Sequence, residues 1–109
     1  MRLSNINDYK AGWFVGDFNP SIFKNPFFEV AHHKHAKGCE TFPHYHAVTN
    51  ELNYIVRGEL MVSGKLLSQG DMWIYEPNEV SEVEFLADSE LIIVRWPSIP
   101  SDKYEVNRS

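Results

Sequence analysis

The chain has 109 residues, 43% of them hydrophobic and 14% aromatic, and a net charge of −5 at pH 7. Its length and composition predict one folded domain, and its negative charge argues against a nucleic-acid partner, which would require a basic surface. Because no apolar run reaches the ~18 residues of a membrane span and the N-terminus lacks the apolar core of a signal peptide, we expect a cytoplasmic protein without a membrane partner.

Residues 1–26 are predicted to form an N-terminal arm. They are rich in aromatic side chains and contain the pairs Asn19-Pro20 and Asn25-Pro26, and such pairs are typical of turns. We expect turns and short strands here, packed against the rest of the chain or against a partner chain.

Residues 27–96 consist of short β-prone runs separated by glycines. Runs of about four to eight residues rich in valine, isoleucine, tyrosine and tryptophan predict strands, and no stretch shows the period of a long helix. Many short strands predict an all-β antiparallel sandwich or barrel. The tail at 97–109 is polar and contains two prolines, so we predict that it lies at the surface.

Two histidines and a glutamate stand at the end of one predicted strand and the start of the next. His44 and His46 share a face, because side chains two residues apart on a strand point the same way. Glu51 follows a short turn, so pairing of the two strands brings its carboxylate towards both imidazoles. This donor set suits Fe(II), Mn(II), Zn(II) or Ni(II) and leaves open positions. For a bare His-x-His, the competing interpretation is a half-exposed strand with two surface histidines.

The spacing of these residues resembles a known motif. Gly38, five residues, His44-x-His46, four residues, Glu51, six residues and Gly58 match the first motif of the cupin family position by position. The resemblance implies an antiparallel jelly-roll β-barrel that holds a divalent transition metal, with His44, His46 and Glu51 as ligands. It also implies a small-molecule ligand or substrate, such as a sugar or an oxo-acid.

Residues 70–78 resemble the second cupin motif in altered form, so the resemblance covers residues 27–96. The family's fourth ligand, a histidine, corresponds to Ser81, which is a poor ligand. Three alternatives stay open: three side chains and water hold the metal, Glu79 or Glu82 replaces the histidine, or the site is degenerate and the protein binds a ligand without turnover. The sequence therefore leaves open whether the protein is an enzyme or a binding module.

A separate histidine run precedes the first motif. On a strand, His33 and His35 share one face and His32 lies on the other. If this strand lines the barrel, one of the two sets reaches the pocket and supports the metal ligands or contacts the substrate. The interpretation that we favour from the sequence is a solvated polar strand.

The pattern of the strand after the first motif predicts an assembly. If Glu51 points inward, then Leu52, Tyr54 and Val56 point outward and form an apolar stripe, which requires a cover. We expect a homodimer in which this stripe is buried and the N-terminal arm borders or crosses to the partner. The alternative is that the arm folds back onto its own barrel.

Overall fold

The computed structural model describes residues 1–106, which form ten strands and two short 3₁₀ turns, Ile6–Asp8 and Lys10–Gly12. Across these residues, no helix has the length and apolar character needed to cross a membrane. The strands in chain order are β1 (Trp13–Val15), β2 (Glu29–His35), β3 (His44–Tyr45), β4 (Asn50–Arg57), β5 (Glu59–Val62), β6 (Lys65–Ser68), β7 (Met72–Tyr75), β8 (Val83–Phe85), β9 (Ser89–Trp96) and β10 (Tyr104–Glu105).

The strands form three antiparallel sheets. A five-stranded sheet has the order β1-β2-β9-β4-β7, a three-stranded sheet has the order β6-β5-β8, and β10 pairs with β3. The predicted all-β antiparallel fold is therefore confirmed. The apolar core joins the two larger sheets and consists of Ala31, Ile55, Leu60, Val62, Tyr75, Val83, Phe85, Leu91 and Ile93.

Strand β4 alternates between the interior and the outside as predicted. Glu51, with Asn53 and Ile55 on the same face, is buried, whereas Tyr54 on the opposite face is 39% exposed. The two flanking strands, β9 and β7, pair with β4 in antiparallel register. The inward face of this strand therefore carries polar residues into the barrel.

The N-terminal arm adds a strand to its own chain. Strand β1 pairs with β2 at one edge of the five-stranded sheet, and β7 forms the opposite edge. The turn before β1 lies so close to β2 that a Cβ at Gly12 would stand 1.9 Å from the carbonyl oxygen of His32, so only glycine fits there. Trp13 then lies edge-to-face on His33, with 5.5 Å between ring centroids.

The C-terminal tail also joins the barrel. Strand β10 pairs with β3, where Glu105 stands opposite His44. Asp102, which precedes this strand, is only 4% exposed. Its burial differs from the surface position predicted for the tail, because its polar groups are hydrogen-bonded to the loop after His46.

Candidate metal and ligand site

A cavity of about 290 Å³ opens between the two larger sheets. Strands β2, β4, β7 and β9 line one side, and β8 with the segments around β3 and β10 lines the other. Its polar side chains include His44, Glu51, Asn53, Ser81 and Arg95. A cavity with a few convergent polar groups among apolar walls is typical of a small-molecule site.

The two histidines of the first motif are buried and each is oriented by a backbone carbonyl. Nδ1 of His44 donates to the carbonyl of Phe42 at 2.8 Å, and Nδ1 of His46 donates to the carbonyl of Asp102. These hydrogen bonds place the proton of each neutral ring on Nδ1 and the lone pair on Nε2. Burial lowers the pKa of His44, which favours the neutral ring. The rings lie 5.5 Å apart, almost perpendicular.

Glu51 is held as a carboxylate by several donors. Arg95 donates from Nε to Oε1 at 2.6 Å, and Asn53 donates from Nδ2 to Oε2 at 3.0 Å. Oε1 also lies 3.5 Å from Nε2 of His46. Burial disfavours the charged form of Glu51, but the guanidinium of Arg95 and the amide of Asn53 outweigh it and lower the pKa of Glu51 to about 2. Glu51 is therefore ionised at neutral pH.

The donor atoms of His44, His46 and Glu51 suit a transition metal. In this structure, however, the three side chains are not arranged as a metal site. Among residues 1–106, no group of three or more His, Cys, Asp or Glu side chains has the arrangement needed to hold an ion. Arg95 occupies the Glu51 oxygen that faces His46. Nε2 of His46 is nevertheless buried and has no hydrogen-bond partner in the described part of the chain. An unpaired buried acceptor, two oriented imidazoles and an ionised carboxylate are the features of a metal-binding set.

The three candidates for a fourth ligand lie in different places. Ser81 is buried, pairs with His44 through its backbone and lines the cavity. Glu79 is exposed, and its Oε1 accepts the N–H of Glu76 at 2.8 Å, so its carboxylate closes the turn itself. Glu82 lines a different cavity. Of these three residues, Ser81 is therefore the one that lies beside His44 in the cavity.

Strand β2 lines the barrel, so the histidines on one of its two faces reach the cavity. His33 and His35 line it, whereas His32 lies on the other face, 3.5 Å from a carboxylate oxygen of Glu90. Nε2 of His33 is buried, and no described residue hydrogen-bonds to it. Burial, followed by the proximity of His35, lowers the pKa of His33 to about 4. The prediction of a solvated polar strand is thus wrong for this face.

Strand β7 contributes two further polar groups to the cavity. Trp73 and Tyr75 face inward, while Met72 and Ile74 face outward and are 60% and 52% exposed. The sequence leaves open which pair faces inward. Nε1 of Trp73 and the hydroxyl of Tyr75 are both buried without a partner within the part of the chain described.

Arg95 is the principal site residue that sequence reasoning missed. The sequence of β9 is mostly apolar, but Arg95 shares the inward face with Leu91 and Ile93. The strand register places Arg95 opposite both Glu29 and Glu51. The alternation of inward and outward side chains along β9 was the sequence signal that could have placed Arg95 on the inward face. Asp102 lies in the irregular tail, and no local pattern marks it.

The fold is a double-stranded β-helix of the cupin type. KdgF from Halomonas sp. is similar, with a TM-score of 0.64 at 25% identity over 69% of this chain and 74% of that chain. An uncharacterized conserved protein with a double-stranded beta-helix domain from Klebsiella pneumoniae has a TM-score of 0.73 at 16% identity, over 98% and 93% of the two chains.

A sugar phosphate isomerase from a cupin superfamily, from Silicibacter pomeroyi, has a TM-score of 0.62 at 16% identity over 75% of this chain and 58% of that chain. No protein-family model and no curated protein matches the sequence. The structural matches confirm both the resemblance to the cupin superfamily and the jelly-roll architecture. The chain has the cupin fold.

Proposed function

We propose that the protein binds a small polar molecule in the barrel cavity, beside a divalent transition metal held by His44, His46 and Glu51. Fe, Mn, Zn and Ni all suit this donor set. The fold similarity to a sugar phosphate isomerase, an enzyme of a small polar substrate, supports a ligand of this kind.

The unpaired polar atoms around the cavity carry the proposal. Three polar atoms on residues that line the cavity are buried and have no hydrogen-bond partner among residues 1–106: Nε2 of His33, Nε1 of Trp73 and the hydroxyl of Tyr75. A buried polar group without a partner costs about 1–3 kcal/mol, and unpaired groups are uncommon in folded proteins. Three on one wall are explained by a ligand that supplies oxygen atoms. A hydroxylated or carbonyl-containing molecule meets this requirement.

The chain's own residues would hold the metal as follows. His44 and His46 would offer Nε2, and Glu51 would offer a carboxylate oxygen, with Arg95 keeping that carboxylate ionised and in place. When bound, a divalent ion supplies Lewis-acid chemistry to a ligand oxygen. Ser81 lines the same cavity as His44 and Glu51. Because serine is a poor ligand, one coordination position of the metal would stay open for water or the bound molecule.

Removing both histidines should abolish metal binding. We expect untagged wild-type protein to bind one transition ion per chain and the double variant His44→Ala/His46→Ala to bind none, because two of the three proposed donors are lost. Binding should weaken as the pH falls below the ordinary histidine value of ~6.5, since imidazole must be neutral to ligate and burial lowers the pKa of His44. Elemental analysis after dialysis and titration with zinc chloride would measure this.

The matched control is His32→Ala, which removes a histidine from the outer face of β2. It should retain the ion. Stoichiometric metal in the double variant would move the site elsewhere, and the histidine run at 32–35 would be the first place to look.

A second function is a binding module with a degenerate metal site. Arg95 occupies Oε1 of Glu51, which favours this function, and the motif resemblance assigns the fourth-ligand position to Ser81, a poor ligand. This alternative requires binding of a sugar or oxo-acid by metal-free protein that takes up no zinc. The proposed function requires that the same protein takes up zinc.

We also propose that the outer face of the five-stranded sheet forms a homodimer interface. Tyr54, Met72, Ile74 and Trp96 on this sheet are each more than a third exposed. The arm lies at the β1 edge and leaves these side chains uncovered within residues 1–106. A second copy would bury apolar surface at about 25 cal/mol per Å².

A charge in this face should dissociate the dimer. We expect wild type to sediment as a dimer at micromolar concentration, and Tyr54→Glu to sediment as a monomer or to unfold. Leu66→Glu, at a 60% exposed position in the other sheet, should remain dimeric. A monomeric wild type would refute the proposed dimer.

A further inference from the structure

The last described residues of the chain, 98–106, form a strap across the end of the barrel that carries the two motif histidines. Strand β10 pairs with β3, and the N–H of Val106 donates to the carbonyl of Pro43 at 2.9 Å. The rings of Tyr104 and Tyr45 are stacked, with 5.4 Å between their centroids. The C-terminal strap therefore lies directly against the strand that begins with His44.

One side chain of the strap holds the loop between the proposed ligands. Asp102 is 4% exposed, and its carboxylate accepts three backbone N–H groups, those of Ala47, Val48 and Thr49, each at 2.9 Å. These three residues connect His46 to β4, which carries Glu51. The conformation of this connection is thus set by a carboxylate more than fifty residues away in sequence.

The backbone of the same residue orients the ring of His46. The carbonyl oxygen of Asp102 accepts the hydrogen of Nδ1, which leaves the lone pair of Nε2 on the side of Glu51, 3.5 Å from Oε1. Histidines that bind metals are commonly fixed in this way through their other ring nitrogen, and loss of such a partner typically costs about 10–100-fold in metal affinity.

We propose that Asp102 is a positioning residue for the cavity site, which sets the tautomer and direction of His46 and the loop that leads to Glu51. The C-terminal strap is then part of the binding site. It also places Lys103 and Glu105 on the cavity wall. This inference rests on the proposed function, because the role of Asp102 is exerted on a proposed metal ligand.

The test compares Asp102→Asn with Asp88→Asn in the full chain. Asp88 also accepts a backbone N–H, that of Lys37 at 2.9 Å, but it is in an exposed position away from the cavity. We expect Asp102→Asn to bind zinc about 10-fold more weakly than wild type in calorimetric titration, because its amide keeps the backbone carbonyl that faces His46 but has one acceptor oxygen where the carboxylate has two. Asp88→Asn should bind as wild type does. In metal-free protein, ¹⁵N NMR should show the Nδ1–H tautomer of His46 in wild type and a mixture of tautomers in Asp102→Asn.

The tautomer separates positioning from a loss of stability, because a merely destabilised but folded variant would keep the wild-type tautomer. Equal zinc affinity and the same tautomer in wild type and Asp102→Asn would overturn the inference and leave the proposed metal site intact. A wild type that takes up no zinc would overturn the proposed metal site, and the NMR comparison would then decide the inference alone. Should Asp102→Asn fail to fold, an Nε2–H tautomer in folded wild type would still overturn the inference, and an Nδ1–H tautomer would support it.

Discussion

Replacing Arg95 with leucine should lower the free energy of unfolding by about 3–5 kcal/mol, the usual loss when one partner of a buried ion pair is removed. Arg95 lies between two carboxylates that are almost fully buried, Glu29 at 2% and Glu51 at 5% exposure. Its Nε donates to Glu51 at 2.6 Å, and its Nη1 is 3.9 Å from Glu29. Without the guanidinium, both carboxylates lose their positive partner in the interior.

Urea unfolding at pH 7 would measure this loss, with Arg57→Leu as the matched control. Arg57 also pairs with a carboxylate, that of Glu90 at 3.2 Å, but its side chain is 57% exposed. The control should lose far less stability, because surface pairs are solvated and screened. Equal losses in the two variants would show that the buried pairing contributes little.

The difference in the free energy of unfolding between wild type and Arg95→Leu should become smaller at acid pH. The folded pKa of Glu51 is depressed to about 2 from an ordinary value of 4.5, so in wild type the charge pairing stabilises the fold above pH 4.5 and is lost as the pH falls towards 2. In the variant, acid protonates the carboxylates that have lost their partner.

The sequence predicts the parts of this site that depend on local spacing. His44 and His46 share a face because a strand has a period of two residues, and Glu51 follows within one turn. The parity of β4 was correct for the same reason, with Glu51 inward and Tyr54 outward. None of these features requires knowledge of which strands are neighbours.

The contacts that the sequence did not predict join distant segments. Arg95 and Glu51 are 44 residues apart, and His46 is 56 residues from Asp102. Parity places Arg95 on the inward face, but only the register of β9 against β2 and β4 places it between two carboxylates, and a slip of one residue would turn it outward. Local patterns contain no information on that register.

Strand β2 shows a second limit to what can be predicted from the sequence. Its sequence, Glu29–His35, has few apolar residues, and polar strands are usually solvated. Here the inward face carries Glu29, His33 and His35 because the barrel encloses a polar cavity as well as an apolar core. The rule that apolar residues point inward fails where a binding site is built.

His33 should make the metal-free protein lose stability between pH 6.5 and pH 4. Burial, followed by the proximity of His35, lowers its folded pKa to about 4 from an ordinary value of 6.5. Between these values the unfolded chain binds a proton at this residue that the folded chain does not, so stability falls as the pH decreases. At about 1.4 kcal/mol per pH unit, the full difference is about 3 kcal/mol.

The variant His33→Gln should remove this share of the pH dependence when urea unfolding is measured from pH 7 to pH 4.5. Part of the slope should persist, because burial also lowers the pKa values of His35 and His44. His32→Gln is the matched control, since it removes a histidine from the outer face of the same strand, beside Glu90. If His33→Gln keeps the wild-type slope, His33 accepts a proton in the folded barrel as readily as in the unfolded chain, and its unpaired Nε2 is then accessible to solvent rather than reserved for a ligand.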